Sequence, residues 1–251
     1  MSQYQFPSNF LWGAAASGPQ TEGITNKVNR SIWDAWHAEA PQKFFQQIGP
    51  ELVTDTYRRY KEDVALMKQA GMNSYRTSIQ WSRLIKDYDT GEVCPDAVAF
   101  YHAYLDEMIA NGIEPMMNLY HFDMPIELQQ KYGGFESKIV IDKFVEFAQA
   151  AFKHFGRKVK YWITFNEPIV PVEGGYLYDF HYPNKQDGGL AVQVGTNILI
   201  AHAKTVLAFK AQNQFADSKI GVVLNLTPSY TRNDSEEDKK AAYYVDLLFN
   251  R

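Results

Sequence analysis

Five short apolar runs, each followed by a longer segment of helical periodicity, set the fold class before any single residue is weighed. The runs are Phe10–Ser17 (FLWGAAAS), Ser74–Ile79 (SYRTSI), Glu114–His121 (EPMMNLYH), Tyr161–Glu167 (YWITFNE) and Ile220–Leu226 (IGVVLNL). Runs of this kind read as strands buried on both faces, the habit of parallel sheets. The segments between them read as helices. From about Thr54 to Ala70, Tyr57, Tyr60, Val64 and Met67 recur at three- and four-residue spacing, and Gly71 stands as a stop. Asp96–Ala110 ends at Asn111-Gly112, and Ser137 can cap a helix carrying Val140, Phe144, Phe147, Ala148, Ala151 and Phe155 on one face. Gly188-Gly189 precedes a helix from about Leu190 to Gln212, and Glu236–Arg251 begins another.

Strand, helix, strand at intervals of about 40 to 60 residues predicts βαβ units and a parallel sheet. A complete (β/α)8 barrel takes about 250 residues, yet these 251 residues show five strands rather than eight. The α/β pattern therefore predicts the first five β/α units of a larger (β/α)8 TIM barrel, with no linker or domain boundary. A doubly wound sheet is the alternative, but no Gly-rich phosphate loop of the G-x-G-x-x-G or P-loop type is present.

Composition narrows the partners. A net charge of −4, from 25 basic and 29 acidic residues, gives no footprint for nucleic acid or an anionic membrane. The least polar long stretch, Leu190 to Phe209, carries Gln193, Asn197, His202 and Lys204, and suits a buried helix better than a membrane span. The opening MSQYQFPSNF lacks the pattern of a secretory signal. The lone Cys94 can form neither an internal disulfide nor a Cys-based zinc site, so a cytoplasmic location is expected. The six histidines show no H-E-x-x-H or similar spacing, and no metal or other cofactor is expected. Aromatic residues make up 15% of the chain, which serves core packing and also suits a pocket that stacks sugar rings.

In parallel α/β folds the chemistry gathers at the carboxyl ends of the strands. Here the first strand is followed by Gln20 and Glu22, the second carries Arg76 and Ser78, and the third ends at His121. The fourth ends at Asn166-Glu167 and the fifth at Asn225. Each has a bland reading: His121 as a core histidine, Arg76 as a structural ion-pair partner, Asn225 as a turn residue. Five strand ends bearing hydrogen-bonding side chains are harder to assign to chance. Asn166-Glu167-Pro168 is the sharpest local signal. Pro168 disfavours helical geometry at Glu167, which places the carboxylate on extended backbone, and the neighbouring amide offers a donor and an acceptor to a hydroxyl. A strand-to-loop turn ended by proline is the plain alternative.

Three motifs in order, FPSNFLWGAAASGPQTEG, YRTSIQWSR (Tyr75–Arg83) and TFNEP (Thr164–Pro168), resemble glycoside hydrolase family 1, the retaining β-glycosidases built on a (β/α)8 barrel. The form SGPQTEG, with HFDMP where many members have Trp after the His, is most similar to the bacterial 6-phospho-β-glucosidase branch. The resemblance implies Glu167 as general acid/base and Asn166 as the residue that binds the sugar 2-hydroxyl. It implies Gln20 and His121 as glycone ligands, Arg76 as support for the nucleophile, and Asn225 near the acid/base. The substrate it implies is a small β-glucoside, 6-phosphorylated, with an unphosphorylated β-glucoside or a 6-phospho-β-galactoside as alternatives. The family nucleophile, a Glu in a T-E-N-G type motif on the seventh strand, has no counterpart here. Residues 1–251 are thus expected to be the N-terminal part of one barrel domain, ending in the helix after the fifth strand and inactive alone. A non-catalytic fragment that binds sugar or assembles with a partner is the rival reading. Open sheet edges at the first and fifth strands predict self-association or pairing with a C-terminal half.

Overall fold

The computed structural model describes residues 4–51, 53–212 and 217–250. Strands and helices follow in chain order: β1 Gly13–Ala15, α1 Gly18–Thr21, α2 Ile32–Glu39, α3 Thr56–Gln69, β2 Ser74–Ser78, α4 Trp81–Leu84, β3 Ile85–Asp87, β4 Glu92–Val93 and α5 Pro95–Ala110. They continue with β5 Glu114–Tyr120, α6 Ile126–Tyr132, α7 Lys138–Phe155, β6 Tyr161–Asn166, α8 Ile169–Tyr176, α9 Gly188–Ala211, β7 Lys219–Val223 and α10 Glu236–Asn250. Five strands form one parallel sheet in the sequential order β1-β2-β5-β6-β7, and β3 and β4 pair as a small antiparallel hairpin. This is a partial (β/α)8 barrel.

The helices between strands cover the outer face of the sheet. α7 shows why they form and what they bury. Ser137 accepts a hydrogen bond from the N–H of Ile139 at its start, Gly156 closes it, and no proline interrupts it. Val140, Ile141, Phe144, Phe147, Ala148, Ala151, Phe152 and Phe155 make its buried face. Phe147 stacks on Trp81 at 5.4 Å, Phe152 meets Trp162 edge-on at 5.0 Å, and Phe144 lies 4.6 Å from Phe165. At roughly 1.5–3 kcal/mol for each fully buried large apolar side chain, this face is a main source of stability. The α3 stripe of Tyr57, Tyr60, Val64 and Met67 packs into the same core, as its spacing predicts.

Several boundaries and orientations differ from the sequence reading. The first strand is only Gly13–Ala15 and is exposed, because one of its edges has no strand beside it among the described residues. It lies so close to β2 that a Cβ on Gly13 would stand 2.0 Å from the Ser74 carbonyl oxygen. The fifth strand is Lys219–Val223, shifted one residue earlier and ending three sooner than expected. Gly188 and Gly189 lie within α9, which Asp187 caps by accepting from the N–H of Leu190. α9 is long and apolar enough to cross a membrane, yet it buries a stripe of Ala191, Val194, Ile198, Ala201 and Phe209. Phe165, which simple alternation turns toward the barrel interior, packs instead on Phe144 and Phe135. The β6–β7 ladder shifts register between Ile163 and Asn166, and that irregularity re-aims the last residues of β6. Arg251 lies outside the described residues.

Candidate active site

A buried ion pair fixes the segment after β1. Arg83 and Glu22 are both almost inaccessible, with Nε to Oε2 at 2.7 Å. Gln80 Nε2 donates to the same oxygen at 2.7 Å, and the Tyr101 hydroxyl donates to Oε1 at 3.0 Å. The rest of the guanidinium donates to the carbonyls of Thr25 and Gly23, both at 2.8 Å, with Tyr57 beneath it at 4.5 Å. Every charge here has partners, which is the condition for burying it. α1 is pinned by this anchor and by the Gly18 N–H donating to Ser78 Oγ at 2.8 Å. Gln20 therefore stands exposed on a rigid turn, its Oε1 accepting from Ser17 Oγ at 2.9 Å. Glu22, named at the same strand end by its position, serves as this anchor.

His121 follows β5 and is buried. Its Nδ1 lies 3.1 Å from Asn118 Nδ2, and its backbone N–H donates to Asp123 Oδ1 at 3.1 Å. Burial, with the Arg76 cation nearby, pushes the imidazole down to about 4, so the ring is neutral at neutral pH. Burial also pushes the Asp123 carboxyl up to about 6, against the hydrogen bond from His121 and the charge of Lys27. Phe122, next in the chain, has φ of 65°, in the left-handed region.

Arg76 and Asn166 meet across the sheet, Nη1 donating to Oδ1 at 2.7 Å. That bond fixes the amide's orientation and leaves its nitrogen as a donor for a ligand, with one lone pair of Oδ1 remaining. Burial lowers the Arg76 guanidinium from its ordinary value and the neighbouring Glu167 charge opposes the shift, so the two side chains feel each other. Glu167 is not on extended backbone. Its φ is 45°, while its N–H donates to the Val223 carbonyl at 2.9 Å. The pre-proline restriction excludes the right-handed helical region but not this one, and the bond to β7 holds the residue there. A non-glycine residue in this conformation costs of order 1–3 kcal/mol, and such strain gathers at functional sites.

Gln20, His121 and Phe122 share a cavity of about 420 Å³ with Trp33, Phe44, Ile48 and other apolar residues. Trp33 and Phe44 meet edge-on at 6.4 Å, forming an aromatic wall. Arg76, Asn166 and Glu167 form a second group, joined to the first through the field of Arg76 on His121. Asn225 joins neither: it lies exposed two residues past β7, with no hydrogen bond to another site residue among the described residues. A larger cavity of about 570 Å³ lies where β5 begins, lined by Asn9, Glu114, Lys158 and Lys160. Its lysines are already paired, Lys158 with Asp106 and Lys160 with Glu114. The strand-end cavity is the one that sits at the carboxyl ends of the strands, with His121 and Gln20 in its lining. Among the described residues no cluster of His, Cys, Asp or Glu is arranged to hold a metal ion.

Sequence reasoning missed Asn118, Asp123, Trp33 and Phe44. Asn118 and Asp123 carried a usable signal, an amide inside an apolar strand and a carboxylate two residues after the histidine. The aromatic pair lies in the long segment after β1, whose path no periodicity reveals.

A partial parallel barrel that carries a carboxylate, an oriented amide and a neutral imidazole at its strand ends places them where barrel enzymes keep their chemistry. The chain belongs to glycosyl hydrolase family 1, whose sequence profile matches residues 2–250. It is 49% identical over 251 residues to the 6-phospho-beta-glucosidase GmuD of Bacillus subtilis (strain 168), covering 99% of this chain and 53% of that protein. Beta-glucosidase 24 of Oryza sativa subsp. japonica is 37% identical, over 94% of this chain and 50% of its own length. The structure of a beta-glucosidase from Thermotoga maritima in complex with glucoimidazole superposes with a TM-score of 0.90 at 34% identity, over 98% of this chain and 55% of that one. The chain thus spans about half the length of the relatives it matches.

Proposed function

We propose that the protein hydrolyses β-glucosidic bonds with retention of configuration, with Glu167 as general acid and then general base. The observation that carries this is Glu167 held in a left-handed conformation at the end of β6, beside an Asn166 whose amide Arg76 orients. In a retaining site two carboxyl groups stand about 5 to 5.5 Å apart; one attacks the anomeric carbon, and the other protonates the departing oxygen and later deprotonates water. Glu167 takes the second part. The attacking carboxylate would come from the part of the family barrel that these five strands do not include.

The Asn166 amide and the His121 ring would donate to hydroxyls of the bound sugar, with Gln20 as a further ligand and the Trp33–Phe44 wall as apolar cover. Carboxylates and directed hydrogen bonds suffice to stabilise an oxocarbenium-like transition state, so the chemistry requires no cofactor. A 6-phosphorylated substrate is the finer reading. It is supported by the 49% identity to a 6-phospho-beta-glucosidase, against 37% to the rice beta-glucosidase.

The test is a chimera in which residues 1–251 replace the matching half of the Bacillus subtilis relative. It should hydrolyse aryl β-glucoside 6-phosphates with retention. Glu167→Gln should cost about 10²- to 10⁴-fold on poor leaving groups and far less on activated ones, which need little protonation. A folded chimera with no turnover, or an equal loss on all leaving groups, sinks the assignment.

A further inference from the structure

His121 has two ring nitrogens, and what each can do for a ligand depends on which one bears the proton. Nδ1 faces Asn118 Nδ2 at 3.1 Å, and an amide nitrogen can only donate, so Nδ1 must accept. The proton of the neutral ring is then on Nε2, which has no protein partner among the described residues and belongs to a side chain lining the strand-end cavity. The neutral state itself follows from burial and the Arg76 charge.

The orientation of the Asn118 amide has independent support. Asn118 Oδ1 and Arg76 Nε are both buried without a protein partner. The pairings Arg76 with Met116 and Ser78 with Asn118 place the two side chains on the same face of adjacent strands. As the amide stands, its unpaired oxygen is an acceptor on the same face as the unpaired donor and the positive charge of Arg76. With the amide reversed, its NH2 donor end rather than its oxygen would stand on the side of the Arg76 cation, which is electrostatically the poorer arrangement.

We infer that Asn118 is a positioning residue that locks His121 in its Nε2–H tautomer, making it a fixed neutral donor toward an acceptor oxygen in the cavity. That the oxygen is a sugar hydroxyl rests on the glycosidase reading; the tautomer does not.

The experiment is two-bond 1H–15N correlation on the 251-residue chain with 15N-labelled histidine at pH 7. The His121 pattern is assigned by its loss in His121→Gln. The expected wild-type pattern has the proton on Nε2 alone. In Asn118→Asp the carboxylate accepts instead, so Nδ1 should become protonated while the other five histidines keep their patterns. Should that variant fail to fold, Asn118→Leu replaces it, and the single tautomer should give way to a mixture. An Nδ1–H ring in the wild type, or an unchanged Nε2–H ring in a folded Asn118 variant, overturns the inference. An inactive chimera with Nε2–H at His121 would sink the glycosidase reading and leave this one standing. Turnover with Nδ1–H would do the reverse.

Discussion

Replacing Arg83 by Met keeps most of the side-chain volume and removes the charge and every donor. The Glu22 carboxylate would stay buried with Gln80 and Tyr101 but no cation, and the carbonyls of Gly23 and Thr25 would lose their partners. Removing one member of a buried pair typically costs about 3–5 kcal/mol, and each orphaned acceptor adds roughly 1–3 kcal/mol where water cannot reach it. These contributions overlap, so a loss of about 5 kcal/mol is a fair expectation against a whole-domain stability of about 5–15 kcal/mol. Urea unfolding at pH 7 and fixed protein concentration, followed by tryptophan fluorescence, measures it. If stranded charge is the cause, Arg83→Met combined with Glu22→Gln should be more stable than Arg83→Met alone, by about 1–3 kcal/mol in the double-mutant cycle. Arg83→Met within about 1 kcal/mol of wild type, or a double variant no better than the single, would refute the reasoning. Because the same guanidinium holds the backbone just after Gln20, the site should suffer with the fold.

Three further outcomes are expected. His121 is pushed down to about 4 from an ordinary value near 6.5, so its contribution is complete above pH 6.5 and lost as pH falls to 4; Asp123 is pushed up to about 6, so it opposes that loss below pH 6. Asp123→Asn removes the opposing part, and stability should then fall by up to about 1.4 kcal/mol more per pH unit between 6 and 4, a slope that unchanged urea midpoints would contradict. Glu167→Gly should raise stability by about 1 kcal/mol by relieving the left-handed strain, whereas Glu167→Gln should leave it nearly unchanged; a lower urea midpoint for the glycine variant counts against strain. The free edges of β1 and β7 should drive the isolated chain to associate at micromolar concentration, and a monodisperse monomer by sedimentation velocity would dispose of that expectation.

What the sequence discloses, and what it hides, divides along physical lines. Strand and helix identities follow from short-range apolar periodicity, so β2, β5, β6, α3 and α7 are legible to within a residue or two. β1 is misjudged because a run of apolar letters does not say whether anything covers it. Polar strand ends single out His121, Asn166 and Glu167 as candidates, because barrel chemistry collects at that end, and the structure does place them at the ends of β5 and β6. The conformation of Glu167 is hidden, because it depends on a hydrogen bond to Val223 more than fifty residues away. The Glu22–Arg83 pair is hidden for the same reason: either residue read alone is an ordinary surface charge. Asn225 is a polar strand end that the described residues leave exposed and unbonded to the other candidates, so its position alone does not assign it a part.

Each strand of this sheet pairs only with the next one along the chain, and that order has a consequence for modularity. A sheet threaded sequentially has two free edges until it closes, and among the described residues they belong to β1 and β7. Closing it requires contact at those two edges and breaks no existing pair. Units could be appended, exchanged or supplied by a separate polypeptide without rethreading any connection. A fold of this kind divides into interchangeable sectors, and its chemistry, drawn from the ends of several strands, is shared across whatever boundary separates them.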